Sequence, residues 1–254
     1  MNSANQPQLT GQVALYTNPE PLSIERHGHL GISAINRPFD FLKETHVIPV
    51  MINEFAAAAL SYPIIFAGDN RAPLAVMGLK PGENLAVLPD GNFDQLSYLP
   101  AYVRRYPFVF AQDDDNQRLV VCLETNSPLV SNAPQTPFFD NGQPSAYTQN
   151  AIEFLQEFEK SRVMTDSFVA LMNDLDLWEP RKQVFTPPPG PDGRPGREIP
   201  LADYFAISQD KLSALPIDKI QQLNETGALG AIYAHLTSLI GWDRMVMKAA
   251  MRAG

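Results

Sequence analysis

Residues 98–124 read YLPAYVRRYPFVFAQDDDNQRLVVCLE, and this stretch decides the fold class that we predict. Two apolar runs, Tyr106–Ala111 and Leu119–Leu123, flank the polar segment Gln112–Arg118. Short apolar runs on either side of a polar turn are typical of two buried strands joined in a hairpin. We therefore predict that this hairpin is the centre of the main sheet.

Aromatic and basic side chains lie close together where the chain enters this hairpin. They are Tyr98, Tyr102, Arg104, Arg105 and Tyr106. A guanidinium group can bind a carboxylate or phosphate in a bidentate manner, so this is our best candidate surface for recognition. Pairing of both arginines with some of the 28 acidic residues is the alternative. An extended chain would send Arg104 and Arg105 to opposite faces, so we expect them to contribute unequally to stability.

Turn residues divide the first half of the chain into short apolar segments. These predict strands at His46–Val50, Pro63–Phe66, Leu74–Leu79 and Asn84–Leu88, and a short helix at Ile52–Ser61. Together with the hairpin, they make an antiparallel sheet of about five strands.

Helical spacing of apolar residues dominates the second half. It predicts amphipathic helices at Ala151–Phe158 and Val163–Leu175, with Thr165 as a cap at a break between them, and further helices from Lys211 onward. Two strands, Lys182–Phe185 and Glu198–Ile207, interrupt them. We predict an α+β fold in which helices mainly from the C-terminal half pack on a sheet mainly from the N-terminal half. It forms one domain over residues 1–254, or two lobes: about 10–140, rich in strands, and 141–254, rich in helices with a strand hairpin.

Composition restricts the partners. The net charge is −9 and no basic run occurs, which disfavours nucleic acid and anionic membranes as partners, because both require clustered Lys and Arg. A protein partner or a small ligand fits better. The single cysteine, Cys122, predicts a buried, inert thiol and no internal disulfide. With no signal peptide and no membrane span, we expect a cytoplasmic protein, with signal-independent export to the surface as the alternative.

Motifs for catalysis, cofactors or metals are missing from the sequence. It contains no Gly-x-Ser-x-Gly elbow and no glycine-rich phosphate loop. His27 and His29 would share one face of a strand, but no acidic residue completes a metal pattern. The acidic segment Asp113–Asn116 lacks the glycine and distal glutamate of a calcium loop. We therefore assign no catalytic residue and expect no cofactor or metal.

Three titratable residues lie among apolar neighbours: His46, Glu54 and His235. A buried polar group needs a hydrogen-bond partner, so they are either satisfied core residues or lining residues of a ligand pocket. His235 borders the apolar stripe of the closing helix, with Ser238 three residues on. We expect His235 to be buried, hydrogen-bonded and a link between the helix and the sheet.

Four segments occur in an order that resembles one bacterial family: HVIPVMINEFAAAALSYPIIF (46–66), APLAVMGLKPGENLAVLPDG (72–91), YLPAYVRRYPFVFA (98–111) and GALGAIYAHLTSL (227–239). The sequence is similar to the SapC family of surface-layer-associated proteins over nearly the whole chain. The resemblance implies a role in a crystalline surface layer or in outer-membrane uptake, and it brings no established catalytic residue. The peptide-transporter permease and the saposin of similar names are different proteins, since they need membrane spans and disulfides that this sequence lacks.

Two functional hypotheses follow from the sequence. The first is a non-enzymatic binding or assembly component. The alternative is an enzyme, or an enzyme accessory, that handles a small carbohydrate or aromatic substrate in a pocket around Tyr62, Tyr102, Arg104 and His235. Convergence of those side chains on one cavity would favour the enzyme, whereas dispersal over satisfied core positions would favour binding.

Overall fold

The computed structural model describes residues 14–113, 118–187 and 196–253. Antiparallel sheets and α-helices make this an α+β fold, which confirms the prediction. The strands are β1 Pro19–Pro21, β2 Gly31–Ile32, β3 Val47–Pro49, β4 Ile64–Ala67, β5 Ala72–Val76, β6 Phe108–Asp113, β7 Arg118–Glu124, β8 Val130–Ser131, β9 Thr136–Pro137, β10 Phe139–Asp140, β11 Gln143–Pro144, β12 Trp178–Phe185 and β13 Ile199–Ile207. The helices are α1 Ile24–His27, α2 Phe55–Ala59, α3 Ala101–Arg104, α4 Ala146–Asp174, α5 Gln209–Ser213, α6 Ile217–Glu225, α7 Ala228–Ser238 and α8 Gly241–Ala253, with 3-10 turns at Asp40–Leu42 and Ile52–Glu54.

Contacts within the chain group these elements into two compact units, each built from separate segments. The first unit comprises the described residues up to Leu42, then Pro89–Asn92 and Tyr102–Lys160. The second comprises Lys43–Leu88, Phe93–Ala101 and the described residues from Ser161 onward. Helix α4 therefore contributes residues to both units.

The first unit contains the predicted hairpin. Strands β6 and β7 pair in antiparallel fashion, with Phe108 opposite Leu123 at the open end of the hairpin and Asp113 opposite Arg118 next to the turn. The prediction that this hairpin is the centre of the main sheet is wrong. Strand β1 pairs with the free edge of β7, and the result is a separate sheet of three strands in the order β1-β7-β6. Of the acidic segment predicted between the strands, residues 114–117 lie outside the described residues.

Two apolar clusters stabilise the first unit. One contains Phe108, Leu123, Phe138 and Leu155, so it joins the hairpin to α4. The other surrounds Cys122, which is fully buried, as predicted. Burial raises the pKa of the Cys122 thiol to about 11, so the thiol stays protonated and unreactive at neutral pH.

The second unit holds the largest sheet, whose strand order is β12-β13-β4-β5-β3. The strands predicted at His46–Val50 and Pro63–Phe66 are confirmed as β3 and β4, and the later pair is confirmed as β12 and β13. Strands β4 and β13 touch at a single registered pair, Phe66 and Phe205. This pairing adds the hairpin β12–β13, which follows α4 in the chain, to the sheet.

The strand predicted at Asn84–Leu88 does not form. The side chain of Asn84 is hydrogen-bonded within the loop and to a distant segment: its oxygen accepts from the backbone N–H of Ala86 (2.9 Å), and its nitrogen donates to Thr45 O (2.9 Å). Only an isolated bridge between Val87 and Phe93 remains. The segment is a buried loop.

The predicted break at Thr165 is also wrong, because α4 is continuous from Ala146 to Asp174. The Thr165 hydroxyl donates to Ser161 O within the helix (2.7 Å) and accepts from the backbone N–H of Ile52 (3.0 Å). A threonine that bonds back to the preceding turn is tolerated inside a helix. Its role here is to tie α4 to the 3-10 turn that precedes α2.

The histidine pair does not lie on a strand. His27 ends helix α1 and is buried, whereas His29 is exposed, so the two rings do not share a face. The backbone N–H of Ser23 donates to His27 Nδ1 (3.1 Å). Burial lowers the pKa of His27, which keeps the ring neutral.

The closing helices are confirmed as α5 to α8. Helix α7 packs on α2 and on the sheet through β13 and β4. Among the described residues, no helix has the length and apolar character that a membrane crossing requires.

Candidate binding site

The predicted site residues divide between the two units. Tyr102, Arg104 and Arg105 belong to the first unit, and the second contains His46, Glu54, Tyr62, Tyr98 and His235. Each group is described separately below, beginning with the arginines.

Arg105 lies against aromatic rings in the first unit. Its guanidinium carbon is 4.0 Å from the centre of the Tyr102 ring, 4.5 Å from that of Phe158 and 5.5 Å from that of Tyr16. These distances are within the range of cation–π attraction. The side chain is half-buried, and its Nε–H has no acceptor. The guanidinium group of Arg105 is thus packed against aromatic rings.

Among the described residues, no carboxylate lies within ion-pairing distance of Arg105. The alternative predicted from the sequence, pairing with an acidic residue, is therefore not seen for this arginine in the part of the chain that the structure describes. A half-buried guanidinium without a counterion retains both its charge and its capacity to bind an anion. Arg105 has the chemistry of an anchor for a carboxylate or phosphate.

The two phenols beside Arg105 are buried and neutral. The Tyr16 hydroxyl donates to Phe108 O (2.7 Å), and the Tyr102 hydroxyl donates to Ala14 O (3.0 Å). Burial raises the pKa of both phenols, and the neighbouring Arg105 charge offsets only part of that rise. Neither hydroxyl is therefore a base at neutral pH, and both serve to hold the rings in place.

Arg104 lies in a different environment. It is exposed, and its guanidinium carbon is 5.1 Å from the centre of the Phe154 ring. The expected extended conformation is wrong, because Ala101–Arg104 forms helix α3. One helical turn separates Tyr102 from Arg105, which places the guanidinium over that ring and leaves Arg104 outward.

We expect Arg105→Ala to lower the free energy of unfolding by about 1 to 2 kcal/mol, because three ring contacts are lost. Arg104→Ala serves as the matched control, and we expect it to lower the free energy of unfolding by less than Arg105→Ala does, because the Arg104 side chain is exposed. Urea denaturation of both variants measures the difference. An equal loss of unfolding free energy in the two variants would show that the ring contacts of Arg105 do not stabilise the fold.

In the second unit, Glu54 and Tyr98 meet in a buried network. Glu54 Oε1 accepts from the Tyr98 hydroxyl (2.7 Å) and from the backbone N–H of Ala101 (2.7 Å), while Oε2 accepts from the N–H of Met51 (3.2 Å). The Tyr62 hydroxyl donates to Tyr98 O (2.7 Å). Burial raises the pKa of Tyr62, so its hydroxyl also stays protonated. This network fixes the loop before α3 on helix α2.

His235 is completely buried and links α7 to two strands, as predicted. Its Nδ1 lies 2.9 Å from Ile64 O, and its Nε2 accepts from the backbone N–H of Ile207 (3.1 Å). Ser238 adds a second tie, because its hydroxyl accepts from the N–H of Ile64 (2.9 Å). Both ring nitrogens of His235 are therefore occupied by backbone groups.

His46 does not join these residues in a network. Its side chain is half-buried, and its backbone carbonyl accepts from the N–H groups of Met77 (2.7 Å) and Gly78 (3.0 Å). The backbone here is tight, since a Cβ on Gly78 would collide with Glu83 O and approach the Cβ of His46. His46 thus lies immediately before β3, where the backbone packs closely around Gly78.

A serine and a lysine also meet in the second unit, at a place that the sequence analysis missed. Ser97 Oγ is 3.0 Å from Lys248 Nζ, a spacing found between serine nucleophiles and lysine bases. Asp94 Oδ2 is 2.8 Å from the same nitrogen. Although partial burial opposes it, hydrogen bonds from Lys248 and Ser97 lower the pKa of Asp94. Lys248 is therefore the ion-pair partner of Asp94.

Glu124 is a second residue that sequence reasoning missed. It is buried in the first unit, and its carboxylate accepts from the backbone N–H groups of Thr17 (2.6 Å), Asn18 (2.9 Å) and Asn126 (3.1 Å). Several amide donors stabilise a buried carboxylate without a cation. Its role is to hold the segment before β1 on strand β7.

Metal ligands do not cluster in the described part of the chain, where no group of three or more His, Cys, Asp or Glu side chains is arranged to hold an ion. The polar residues described above therefore act as hydrogen-bonding groups. Within the described residues, Arg105 differs from the others in that its guanidinium lies against aromatic rings and has no carboxylate at ion-pairing distance.

Comparison with known proteins gives one match. A family model described as SapC matches residues 22–245. No curated protein and no solved structure matches the chain.

Proposed function

Because the chain belongs to the SapC family, we propose that it is a non-enzymatic binding or assembly component, and that Arg105 receives a carboxylate or another anionic group of its ligand. The observation that carries this proposal is the half-buried guanidinium of Arg105, which no carboxylate neutralises within the described residues. A charge held between rings is preorganised, so little side-chain entropy is lost when an anion binds.

Binding is favoured over catalysis by the state of the other polar residues. His235 uses both ring nitrogens in backbone contacts, and Lys248 is paired with Asp94. General acid or base catalysis requires a group that can exchange a proton with a substrate. The enzyme hypothesis also places Tyr62 and His235 in a substrate pocket, but Tyr62 is hydrogen-bonded to a backbone carbonyl in the core.

A surface-layer or outer-membrane-uptake setting is part of the proposal, and it rests on what the family resemblance implies. In such a setting, an anchor for carboxylates would recognise acidic groups of a partner protein or of a small ligand. The partner classes expected from the sequence, a protein or a small molecule, are both compatible with this role.

The experiment is a thermal-shift series with citrate, glutarate, benzoate and inorganic phosphate at constant ionic strength. Binding to the folded state raises Tm, and a ligand at about 100 times its Kd stabilises by about 2.7 kcal/mol. We expect one or more anions to raise Tm of the natural chain and of Arg104→Gln, but not of Arg105→Gln.

Two results would contradict the proposal. An equal shift in Arg105→Gln would mean that anions bind elsewhere. Mass spectrometry of the recovered ligand supplies the second criterion, because a chemical change in a bound carboxylate would support the enzyme hypothesis.

A further inference from the structure

Helix α8 is anchored to the second unit along two faces. Trp242 and Met245 are buried, and the Trp242 ring lies 6.0 Å from that of Tyr204. On the next face, Lys248 binds Asp94, while the Arg252 guanidinium donates to the backbone carbonyls of Asn84 (2.7 Å) and Val87 (2.6 Å). The helix is therefore fixed without any help from its third face.

That third face is an apolar stripe, which we call the outer stripe. It consists of Ile240, immediately before the helix, with Met247 and Met251, and these side chains are 76%, 54% and 80% exposed. At 100° per residue, the three fall within an arc of about 40°. Leu96, 95% exposed, lies in the loop whose Asp94 and Ser97 bind Lys248.

Aligned apolar side chains at this exposure indicate a contact surface. Single exposed apolar residues are common on soluble proteins, but several aligned on one face of a helix form a contiguous patch of the kind that marks an interaction site. Methionine is flexible and polarizable, and surfaces that adapt to a bound helix often use it. The spacing matches the apolar face of a second helix.

The borders of the outer stripe differ in charge. Arg244 lies at one border, about 20° from Met251 around the helix, and within the described residues no carboxylate is at ion-pairing distance from it. The exposed Asp243 lies on the other side. In a chain with a net charge of −9, this uncompensated positive border favours an acidic segment.

We propose that the outer stripe is the docking surface for an amphipathic helix of a partner protein, with apolar residues three and four apart and acidic residues along the border that faces Arg244. A second copy of this chain fits less well, because antiparallel pairing of two α8 helices brings their basic borders together. An anionic membrane fits less well too, since polybasic surfaces that bind lipids use clusters of about 4 to 8 cations.

The test uses two labelled synthetic peptides of about 18 residues, long enough for about five helical turns. Both carry leucine on one face; one has glutamate along the border of that face and the other has lysine. Fluorescence anisotropy with the full chain measures binding. We expect the glutamate peptide to bind at least about tenfold more tightly, and Met251→Glu to weaken its binding at least about tenfold.

Charge reversal and a matched control complete the design. Arg244→Glu should reverse the preference between the peptides, whereas Ile217→Glu, at an equally exposed apolar position on α6, should change nothing. Equal affinity for the two peptides, or binding that survives Met251→Glu, would overturn the proposal.

Two further measurements separate the other occupants. The first is cosedimentation of the chain with vesicles of phosphatidylcholine and phosphatidylglycerol. If the chain binds the vesicles and Met251→Glu abolishes this binding, the occupant is a membrane and the proposal is overturned. A dimer in sedimentation velocity that the same substitution abolishes would identify a second copy, with the same consequence. Because the peptide test does not involve Arg105, it can fail or succeed independently of the anion-binding proposal.

Discussion

Replacing His235 with alanine is expected to lower the free energy of unfolding by about 2 to 5 kcal/mol at neutral pH and by considerably less in acid. The substitution removes the acceptor of the Ile207 N–H and the donor to Ile64 O, and both backbone groups are buried beside the ring. Each unsatisfied buried group costs about 1 to 3 kcal/mol.

The position of the ring explains this cost. Strands β4 and β13 pair at Phe66 and Phe205, and the same antiparallel register, extended by two residues, places Ile64 opposite Ile207. Instead of bonding to each other there, the two backbone groups bond to the two nitrogens of one imidazole. His235 is thus inserted into the ladder as a bridge, and only a neutral ring supplies both a donor and an acceptor.

Acid should weaken this bridge in the natural chain. Burial lowers the pKa of His235 from 6.5 to about 4, against a smaller opposing effect of the hydrogen bond to Ile64. The unfolded chain therefore binds a proton at higher pH than the folded chain, so stability is complete above about pH 6.5 and is lost as pH falls to about 4. The loss is about 3 kcal/mol, since one pKa unit corresponds to about 1.4 kcal/mol.

Urea denaturation followed by tryptophan fluorescence measures both effects, because Trp178 and Trp242 lie in the same unit as His235. Other groups also titrate in acid, among them His27, whose pKa is lowered. The relevant quantity is therefore the difference between the natural chain and His235→Ala at each pH. A difference that stays constant from neutral pH to pH 4 would show that His235 does not titrate between folded and unfolded states.

The hairpin, most strands of the second unit and the burial of His235 were accessible from the sequence, because each depends on local periodicity. The sequence did not indicate which strands belong to which sheet. Strand β13 meets β4 through residues 205 and 66, and no pattern within either segment encodes that pairing. The hairpin β6–β7 has the same apolar alternation whether its neighbour is β4 or β1, so the sequence alone could not assign it to the smaller sheet.

The candidate site was predictable in composition but not in geometry. Clustered tyrosines and arginines drew attention to Arg105, yet the expected extended chain would not have stacked it on Tyr102. A single turn of helix does so. Glu124 was not recognised because the amides that surround it come from Thr17 and Asn18, more than 100 positions away in the chain. A signal for such convergence exists only in the folded state.

We expect Gly31→Ala to lower the free energy of unfolding by about 3 kcal/mol or more, or to prevent the first unit from folding. Gly31 lies in β2, the middle strand of the sheet β8-β2-β9, and pairs with Ser131 on one side and Pro137 on the other. A Cβ at this position would collide with Thr136 O and lie 2.6 Å from Pro134 Cβ and 2.7 Å from Pro137 Cα. Backbone and ring atoms cannot move aside as a flexible side chain can, so β2 and β9 would have to separate.

Gly230→Ala is the matched control, because a Cβ there meets no atom within 4 Å. Gly230 is exposed inside helix α7, where alanine is favoured over glycine by about 1 kcal/mol, so this variant should be more stable than the natural chain. The measurement uses Cys122, the single cysteine, which is buried in the same unit as Gly31. Its thiol should react rapidly with a thiol reagent in Gly31→Ala and slowly in Gly230→Ala. Slow reaction and an unchanged denaturation midpoint in Gly31→Ala would mean that the sheet accommodates a methyl group, and that the close approach of β2 and β9 is not required.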